Sequence, residues 1–262
     1  MRLTLPSRRP RSSRPRRGLG WSGLGWLLAL TVFGSLYAVF RVTLTVTPGA
    51  AIRAGGELLG RPTVLVIVGH PDDLEWYVGG TLRRLSDAGA DVQVVVATSG
   101  EKGPNRTQAR DLPATREREQ LAAARINGYT RVRFLRLPDR GAANDPRFLP
   151  AVQAIYREVK PDALMAFDPA LPSLPYLHVD HQGTARVVLA FWRTLSTGRP
   201  PVYLFQTRRP DVAVDISGVI DTKQSALAQH VTQNGGNGSG MRGLFGGKAV
   251  GTQFAEYFRR LE

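Results

Sequence analysis

An α/β fold, with a mainly parallel sheet and helices on both of its faces, is what this 262-residue sequence predicts. Three observations predict it. From residue 61 onward, short β-rich apolar runs alternate with longer amphipathic ones, the pattern of βαβ units. The first run, Thr63–Val68 (TVLVIV), is apolar at nearly every position, as a strand covered on both faces must be. The composition, 42% hydrophobic and 21% charged, is that of an ordinary globular chain, which excludes wholesale disorder and fibrous classes.

The elements follow in order. Ahead of the sheet, residues 1–17 form a basic tail with seven Arg and no acid. Gly18 to Phe40 is then 23 residues without a charge, long enough to cross a hydrocarbon core of about 30 Å. Trp21, Trp26 and Tyr37 stand near its ends, where interfacial belts form. The sequence therefore predicts one transmembrane helix over 18–40, anchoring the chain in a membrane. The Arg cluster keeps the N-terminus in the cytoplasm and puts everything after residue 41 on the extracytoplasmic side. The alternative is a cleaved signal peptide, whose apolar stretch normally spans 7–15 residues and ends in a small-x-small site. This run is longer, and the chain leaves it through Phe40, Arg41 and Val42.

Residues 41–60 read as a linker to a domain over 61–262. After Thr63–Val68, a helix is expected over Gly79–Gly89, with Leu82 and Leu85 at helical spacing. Val92–Ala97 is the second strand, Pro113–Ile126 the next helix, and Arg131–Leu137 the third strand. A helix over Pro150–Val159 precedes the strand Ala163–Phe167, and another runs from Gln182 to about Leu195. Val202–Gln206 and Val212–Ile216 read as strands, Val219–His230 as a helix. Residues 233–247 hold seven Gly in fifteen positions and read as a flexible loop, followed by a helix over Phe254–Leu261. The arrangement is Rossmann-like.

The net charge of +14 suggests nucleic acid until it is located: half of the excess lies in the N-terminal tail. The remainder carries no RNA-module signature, no Cys/His finger and no dense basic and aromatic interleaving, so no nucleic-acid partner is expected. The absence of Cys removes disulfides, cysteine nucleophiles and Cys-based metal sites. No G-x-S-x-G elbow marks a serine hydrolase, and no G-x-G-x-x-G follows the first strand.

What remains is a cluster of His and Asp. In open parallel sheets ligands bind beyond the carboxyl ends of the strands. The first strand runs into His70-Pro71-Asp72-Asp73; the fourth is followed by Asp168 and then His178-Val179-Asp180-His181. Three of the four His lie in these two segments. Imidazole and carboxylate together suit Zn²⁺, and the same donors also describe non-haem Fe²⁺ sites. A second carboxylate beside the ligands can take a proton from water that the metal acidifies, and a further His can stabilise an oxyanion or protonate a leaving amine. This is equipment for metal-assisted amide hydrolysis.

The segment Gly69-His70-Pro71-Asp72-Asp73-Leu74-Glu75-Trp76-Tyr77-Val78-Gly79-Gly80-Thr81-Leu82 resembles the opening motif of the LmbE-like (PIG-L) de-N-acetylases, usually A-H-P-D-D-E and then G-G-T-L. Further segments fall in that family's order: Thr98-Ser99-Gly100-Glu101-Lys102-Gly103, Arg116-x-x-Glu119, Phe134-Leu135-x-Leu137-Pro138-Asp139, His178-Val179-Asp180-His181-Gln182, and Lys223 through Gln233. Leu74 stands where Glu is frequent and Gly69 where Ala is usual; neither change removes a ligand. The resemblance spans roughly 62–260. It implies His70, Asp73 and His181 as zinc ligands, Asp72 as general base, His178 as oxyanion stabiliser or acid, and Asp180 as the group orienting His178. Arg116 and Asp139 match positions that contact substrate in relatives. Glu101 is expected to close a loop near the site and His230 to be structural. The function implied is removal of an acetyl group from an N-acetylated sugar or glycoconjugate. The alternative is an amide hydrolase of the same fold acting on a non-sugar amide.

Overall fold

The structure, a computed structural model, describes residues 25, 26, 28, 30, 31, 42–129, 131–170, 179–196 and 198–262. The chain divides into two units, Met1–Arg41 and Val42–Glu262. Of the first, only Gly25, Trp26, Leu28, Leu30 and Thr31 are described, and they are helical. The span expected over 18–40 therefore lies almost wholly outside the described residues. Among those residues, no helix is long and apolar enough to cross a membrane.

The second unit is built on a seven-stranded sheet. Its strands are β1 (Thr63–Val68), β2 (Asp91–Thr98), β3 (Arg131–Leu137), β4 (Ala163–Phe167), β5 (Val202–Phe205), β6 (Val212–Asp215) and β7 (Ala255–Leu261). The spatial order is β3-β2-β1-β4-β5-β7-β6. The pairs from β3 through β5 are parallel, and β7 runs antiparallel to both β5 and β6. The helices are α1 (Pro48–Leu59), α2 (Asp73–Tyr77), α3 (Gly79–Asp87), α4 (Leu112–Asn127), α5 (Phe148–Val159), α6 (Val179–Arg193), α7 (Ile220–Leu227) and α8 (Val231–Asn234). Every residue from Val64 to Val68 is buried, so both faces of β1 are covered, as its unbroken apolar run requires. Leu65, Ile67, Leu82, Phe148, Phe167 and Val188 belong to one contiguous core, each such side chain stabilising the fold by about 1.5–3 kcal/mol.

The chain winds outward from β1 to β2 and β3, then returns to place β4 on the other side of β1. Val64 pairs with Val92 on one side and with Ala163 on the other. The strand order thus reverses between β1 and β4, and this switch point is where a doubly wound sheet opens a crevice at its carboxyl edge.

Three expectations are corrected. The helix expected over Phe254–Leu261 is instead strand β7, because the segment fills the gap between β5 and β6 and completes both ladders. Tertiary pairing overrides a sequence that carries no strong local preference. The linker expected over 41–60 contains α1. Thr47 caps it by accepting the Ala50 N–H, Pro48 occupies the first turn, and Ala51, Ala54, Gly55 and Leu58 line its buried face. Gly55 lets α1 lie directly on β6, since a Cβ there would sit 2.0 Å from the Ala213 carbonyl oxygen. Residues 233–247, read as a loop, include the end of α8 and a 3₁₀ turn over Ser239–Phe245 that buries Met241.

Asp168, beyond β4, serves the sheet. Its carboxylate takes a two-pronged bond from Arg259 on β7, Nε–Oδ2 2.9 Å and Nη2–Oδ1 2.8 Å. Burial raises this carboxyl, but the bonds from Arg259, Thr207 and the Ala170 N–H together outweigh burial and hold it below the usual carboxylate range. A lowered folded-state pKa stabilises the fold above the unfolded value of about 3.9, and that gain is lost as pH falls through the folded value. Asp168→Asn should therefore lower the urea midpoint at pH 7 by the equivalent of about 1–3 kcal/mol. The gap to the parent should close below about pH 4; an equal gap at pH 7 and pH 3 would contradict this account.

Candidate metal centre

The site begins where β1 ends. The chain turns through Pro71, and the Asp73 carboxylate, in the first turn of α2, folds back onto the strand end. Asp73 Oδ2 accepts the backbone N–H groups of Gly69 at 3.1 Å and His70 at 2.8 Å. This fixes the side chain and turns Oδ1 towards His181 Nε2, 2.9 Å away. His181 comes from the first turn of α6, beyond β4, on the far side of the switch point. Its ring stacks on Phe167 at the end of β4, with centroids 4.0 Å apart and planes 8° apart, and Tyr77 meets it edge-on. The ring plane of His181 is thereby set by the core.

His70 completes the cluster. Its Nδ1 lies 3.6 Å from Asp73 Oδ2, and its Nε2 lies 3.1 Å from Asp139 Oδ1 and 3.3 Å from Asp180 Oδ2. One donor atom from each of His70, Asp73 and His181 lies within 4.8 Å of the others, and all three residues are buried. A second group of His70, Asp139 and Asp180 shares the same imidazole. Burial pushes His70 down, but its bonds to Asp139, Asp180 and Asp73 outweigh this and raise it well above the ordinary histidine value. Burial pushes Asp73 up, but His181 and then His70 hold it well below the usual carboxylate range. Asp139 is likewise lowered against its burial, chiefly by His70.

These residues fit a divalent cation. An imidazole that ligates through one nitrogen normally has its other N–H held by a carboxylate. Asp139 and Asp180 hold Nε2 in this way, which turns Nδ1 towards the Asp73 carboxylate, 3.6 Å away. A lone pair opposed to a carboxylate oxygen is repulsive unless a proton or a cation lies between them. Two imidazoles and one carboxylate suit Zn²⁺ and Fe²⁺ alike.

Asp72 stands beside the cluster with φ 92°, ψ −25°, a left-handed backbone uncommon for a residue with a Cβ. Its Oδ1 lies 3.4 Å from Arg116 Nη2. Arg116, on α4, also donates from Nη1 to the Gly100 carbonyl at 2.7 Å and from Nη2 to the Pro71 carbonyl at 2.6 Å. Gly100 adopts φ 65°, and a Cβ there would come within 2.2 Å of Arg116 Nη1, so only glycine admits the guanidinium. Burial raises the Asp72 carboxyl, with Arg116 opposing and Asp73 adding to the rise. A carboxylate raised in this way is a better proton acceptor near neutral pH.

The structure brings His70, Asp72, Asp73, Arg116, Asp139, Asp180 and His181 together. His178 lies outside the described residues. Asp180, expected to orient His178, accepts Arg140 N–H at 2.5 Å on Oδ2 and Ala142 N–H at 3.2 Å on Oδ1. With His70 also on Oδ2, one lone-pair site remains on Oδ1 among the described residues. Arg116 and Asp139, expected to meet substrate, are buried, and their bonds run to the site itself. Asp139 Oδ2 accepts Lys102 N–H at 2.8 Å. Glu101 closes its loop as expected, accepting Asp139 N–H at 2.8 Å, and His230 is buried in the interior.

Sequence reasoning missed a buried carboxylate, Glu75, and the side chains around it. Its Oε1 accepts from Tyr129 Oη at 2.6 Å and Asn127 Nδ2 at 3.1 Å, and its Oε2 accepts from Gln120 Nε2 at 3.1 Å. His230 Nε2 lies 3.0 Å from the same Oε2. One signal was present: Gln120 stands four residues after Arg116, on the same face of a predicted helix.

A doubly wound sheet carrying a His/Asp/His group at its switch point defines an α/β protein with a candidate metal centre and a carboxylate poised beside it. Comparison with known proteins then gives the family. Residues 65–192 match the family described as PIG-L, GlcNAc-PI de-N-acetylase. The chain is 31% identical over 186 residues to a probable N-acetyl-alpha-D-glucosaminyl L-malate deacetylase 2 of Bacillus cereus, covering 65% of this chain and 83% of that protein. It is also 28% identical over 186 residues to a 4-oxalmesaconate hydratase of Pseudomonas putida, covering 63% of this chain and 71% of that protein. Its fold is similar to N,N'-diacetylchitobiose deacetylase from Pyrococcus horikoshii, with a TM-score of 0.70 at 24% identity over 88% of this chain and 92% of that one. The chain belongs to the PIG-L family.

Proposed function

We propose that this protein is a metal-dependent hydrolase that removes the acetyl group from an N-acetylated sugar or glycoconjugate. One observation carries the reading: His70, Asp73 and His181 converge from the two strand ends of the switch point, with the raised carboxyl of Asp72 beside them. His70, Asp73 and His181 would hold a divalent ion, Zn²⁺ in this reading and Fe²⁺ by the same donor chemistry, which would supply Lewis-acid activation of water and of the amide carbonyl. Asp72 takes the proton of the attacking water. His178, by its place in the motif, stabilises the developing oxyanion or protonates the leaving amine, and the remaining lone pair on Asp180 Oδ1 orients it. Arg116 keeps Asp72 in place, and together with Asp139 it frames the cluster that an incoming sugar meets. Asp139 and Asp180 hold His70 in the tautomer that ligates.

The test is a substrate panel: N-acetylated amino sugars, simple acyl amides without a sugar, and 4-oxalmesaconate. The expected result is acetate release from an N-acetyl sugar, with the plain amides and the hydration reaction at background. Turnover confined to plain amides would favour the non-sugar hydrolase, and hydration alone would overturn hydrolysis.

We further propose that residues 18–40 hold this domain on the extracytoplasmic side of the membrane, on the strength of their uncharged length and the one-sided Arg cluster. Protease added to intact spheroplasts should then digest the domain. A protected domain would reverse the orientation, and a mature N-terminus near residue 50 would make the segment a cleaved signal.

A further inference from the structure

The strained backbone of Asp72 has a cause in the structure. Such a conformation is disfavoured for a residue with a Cβ and persists only where its surroundings enforce it. Helix capping does not enforce it here, since the Asp72 side chain makes no bond to the start of α2. The peptide group between Pro71 and Asp72 is instead gripped at both of its polar ends. Its carbonyl oxygen accepts Arg116 Nη2 at 2.6 Å, and its N–H donates to Gln120 Oε1 at 2.9 Å. Arg116 and Gln120 lie one turn apart on the same face of α4.

Gln120 is itself held in one orientation. Its Nε2 donates to Glu75 Oε2 at 3.1 Å and to Tyr129 Oη at 2.8 Å. A flipped amide would turn its oxygen towards the Glu75 carboxylate and its NH₂ towards the Asp72 N–H, opposing like groups on both sides. Glu75 is in turn engaged on Oε1 by Tyr129 and Asn127 and on Oε2 by Gln120 and His230. Glu75, Gln120, Asn127, Tyr129 and His230 are all fully or almost fully buried. A buried ionisable network of this kind is weak as a source of stability, because apolar side chains of the same volume serve as well. It does, however, provide a rigid acceptor for one N–H that apolar packing would leave unpaired.

We propose that Gln120 is a positioning residue: by fixing the Pro71–Asp72 peptide it sets the backbone of Asp72 and aims its carboxylate into the site. The proposal rests on the reading of Asp72 as the base. Among the described residues, the hydrogen bonds of Gln120 run to Asp72 N–H, Glu75 and Tyr129, and none of these is a proposed metal ligand. Its removal therefore acts on turnover more than on binding.

The experiment compares Gln120→Met with Tyr129→Phe in the full-length, metal-loaded protein. The second change removes the hydroxyl that Gln120 Nε2 reaches at 2.8 Å but keeps the Glu75 bond that orients the amide, and so leaves Gln120 Oε1 facing Asp72. For each variant kcat, KM, metal per chain and Tm are measured, and the φ of Asp72 is read from a crystal structure. For Gln120→Met the expected result is a fall in kcat of about tenfold or more, KM within about threefold, unchanged metal content, and an Asp72 φ that leaves the left-handed region. Tyr129→Phe should keep kcat within about threefold whatever its Tm. The proposal is overturned if kcat follows Tm in both variants, or if Gln120→Met keeps both its kcat and the Asp72 φ. Where Gln120→Met does not fold, Gln120→Asn keeps the amide but withdraws its reach, and carries the same expectation. The φ is read without turnover, so this outcome stands apart from the base assignment, which Asp72→Asn tests.

Discussion

His181→Ala is expected to lose most of its bound metal and, with it, at least about a thousandfold in turnover. A bound cation contributes several kcal/mol of transition-state stabilisation, and about 4 kcal/mol is a thousandfold. Three protein donors converge at the switch point, and removing one leaves two. Loss of a mere supporting partner already costs 10–100-fold in metal affinity, so loss of a ligand costs more. The variant also removes the ring that faces Asp73 Oδ1 at 2.9 Å and with it the largest influence holding that buried carboxylate ionised. Elemental analysis of parent and variant, purified side by side, measures the metal, and acetate release measures the rate. Because His181 stacks on Phe167 within the core, thermal unfolding is recorded with them. A folded variant that keeps full metal occupancy would remove His181 from the ligand set.

Much of this architecture was legible in the sequence because the sheet interior leaves a plain signal. The run Thr63–Val68 reads as a strand covered on both faces, and β1 has those bounds. Arg131–Leu137 and Ala163–Phe167 are also strands as read. The residues of the candidate site were legible for a different reason. In a doubly wound sheet, side chains just beyond adjacent strand ends meet, so His70-Pro71-Asp72-Asp73 and Asp180-His181 had a place to converge once the strands were set. What stayed hidden depends on contacts between distant segments. Nothing local in Ala255–Leu261 distinguishes a strand from a helix; its state is decided by β5 and β6 on either side. Nothing local marks Glu75 as buried, and only its enclosure by α4, Tyr129 and His230 makes it an interior carboxylate. Asp168 is the converse case: it stands at a strand end, yet pairing with Arg259 draws it into the sheet.

Asp72→Asn is the sharper test of the chemistry, with kcat expected to fall by about 10²–10⁴-fold, the usual contribution of a general base. Asparagine keeps the shape of the side chain and tolerates a left-handed backbone better than most residues with a Cβ. The peptide clasped by Arg116 and Gln120 therefore stays as it is, and the substitution removes only the ability to take a proton. Alanine would confound that loss with relief of the backbone. The ligands His70, Asp73 and His181 are untouched, so metal content should equal the parent's. Stability should hold or rise slightly, because a carboxylate raised by burial and by Asp73 is replaced by a neutral group, while Arg116 retains its bonds to Pro71 and Gly100. Loss of turnover at full metal occupancy and parental Tm would place the proton on Asp72. Loss of metal in step with turnover would instead make Asp72 part of the metal's support, and near-parental turnover would pass the base to another group.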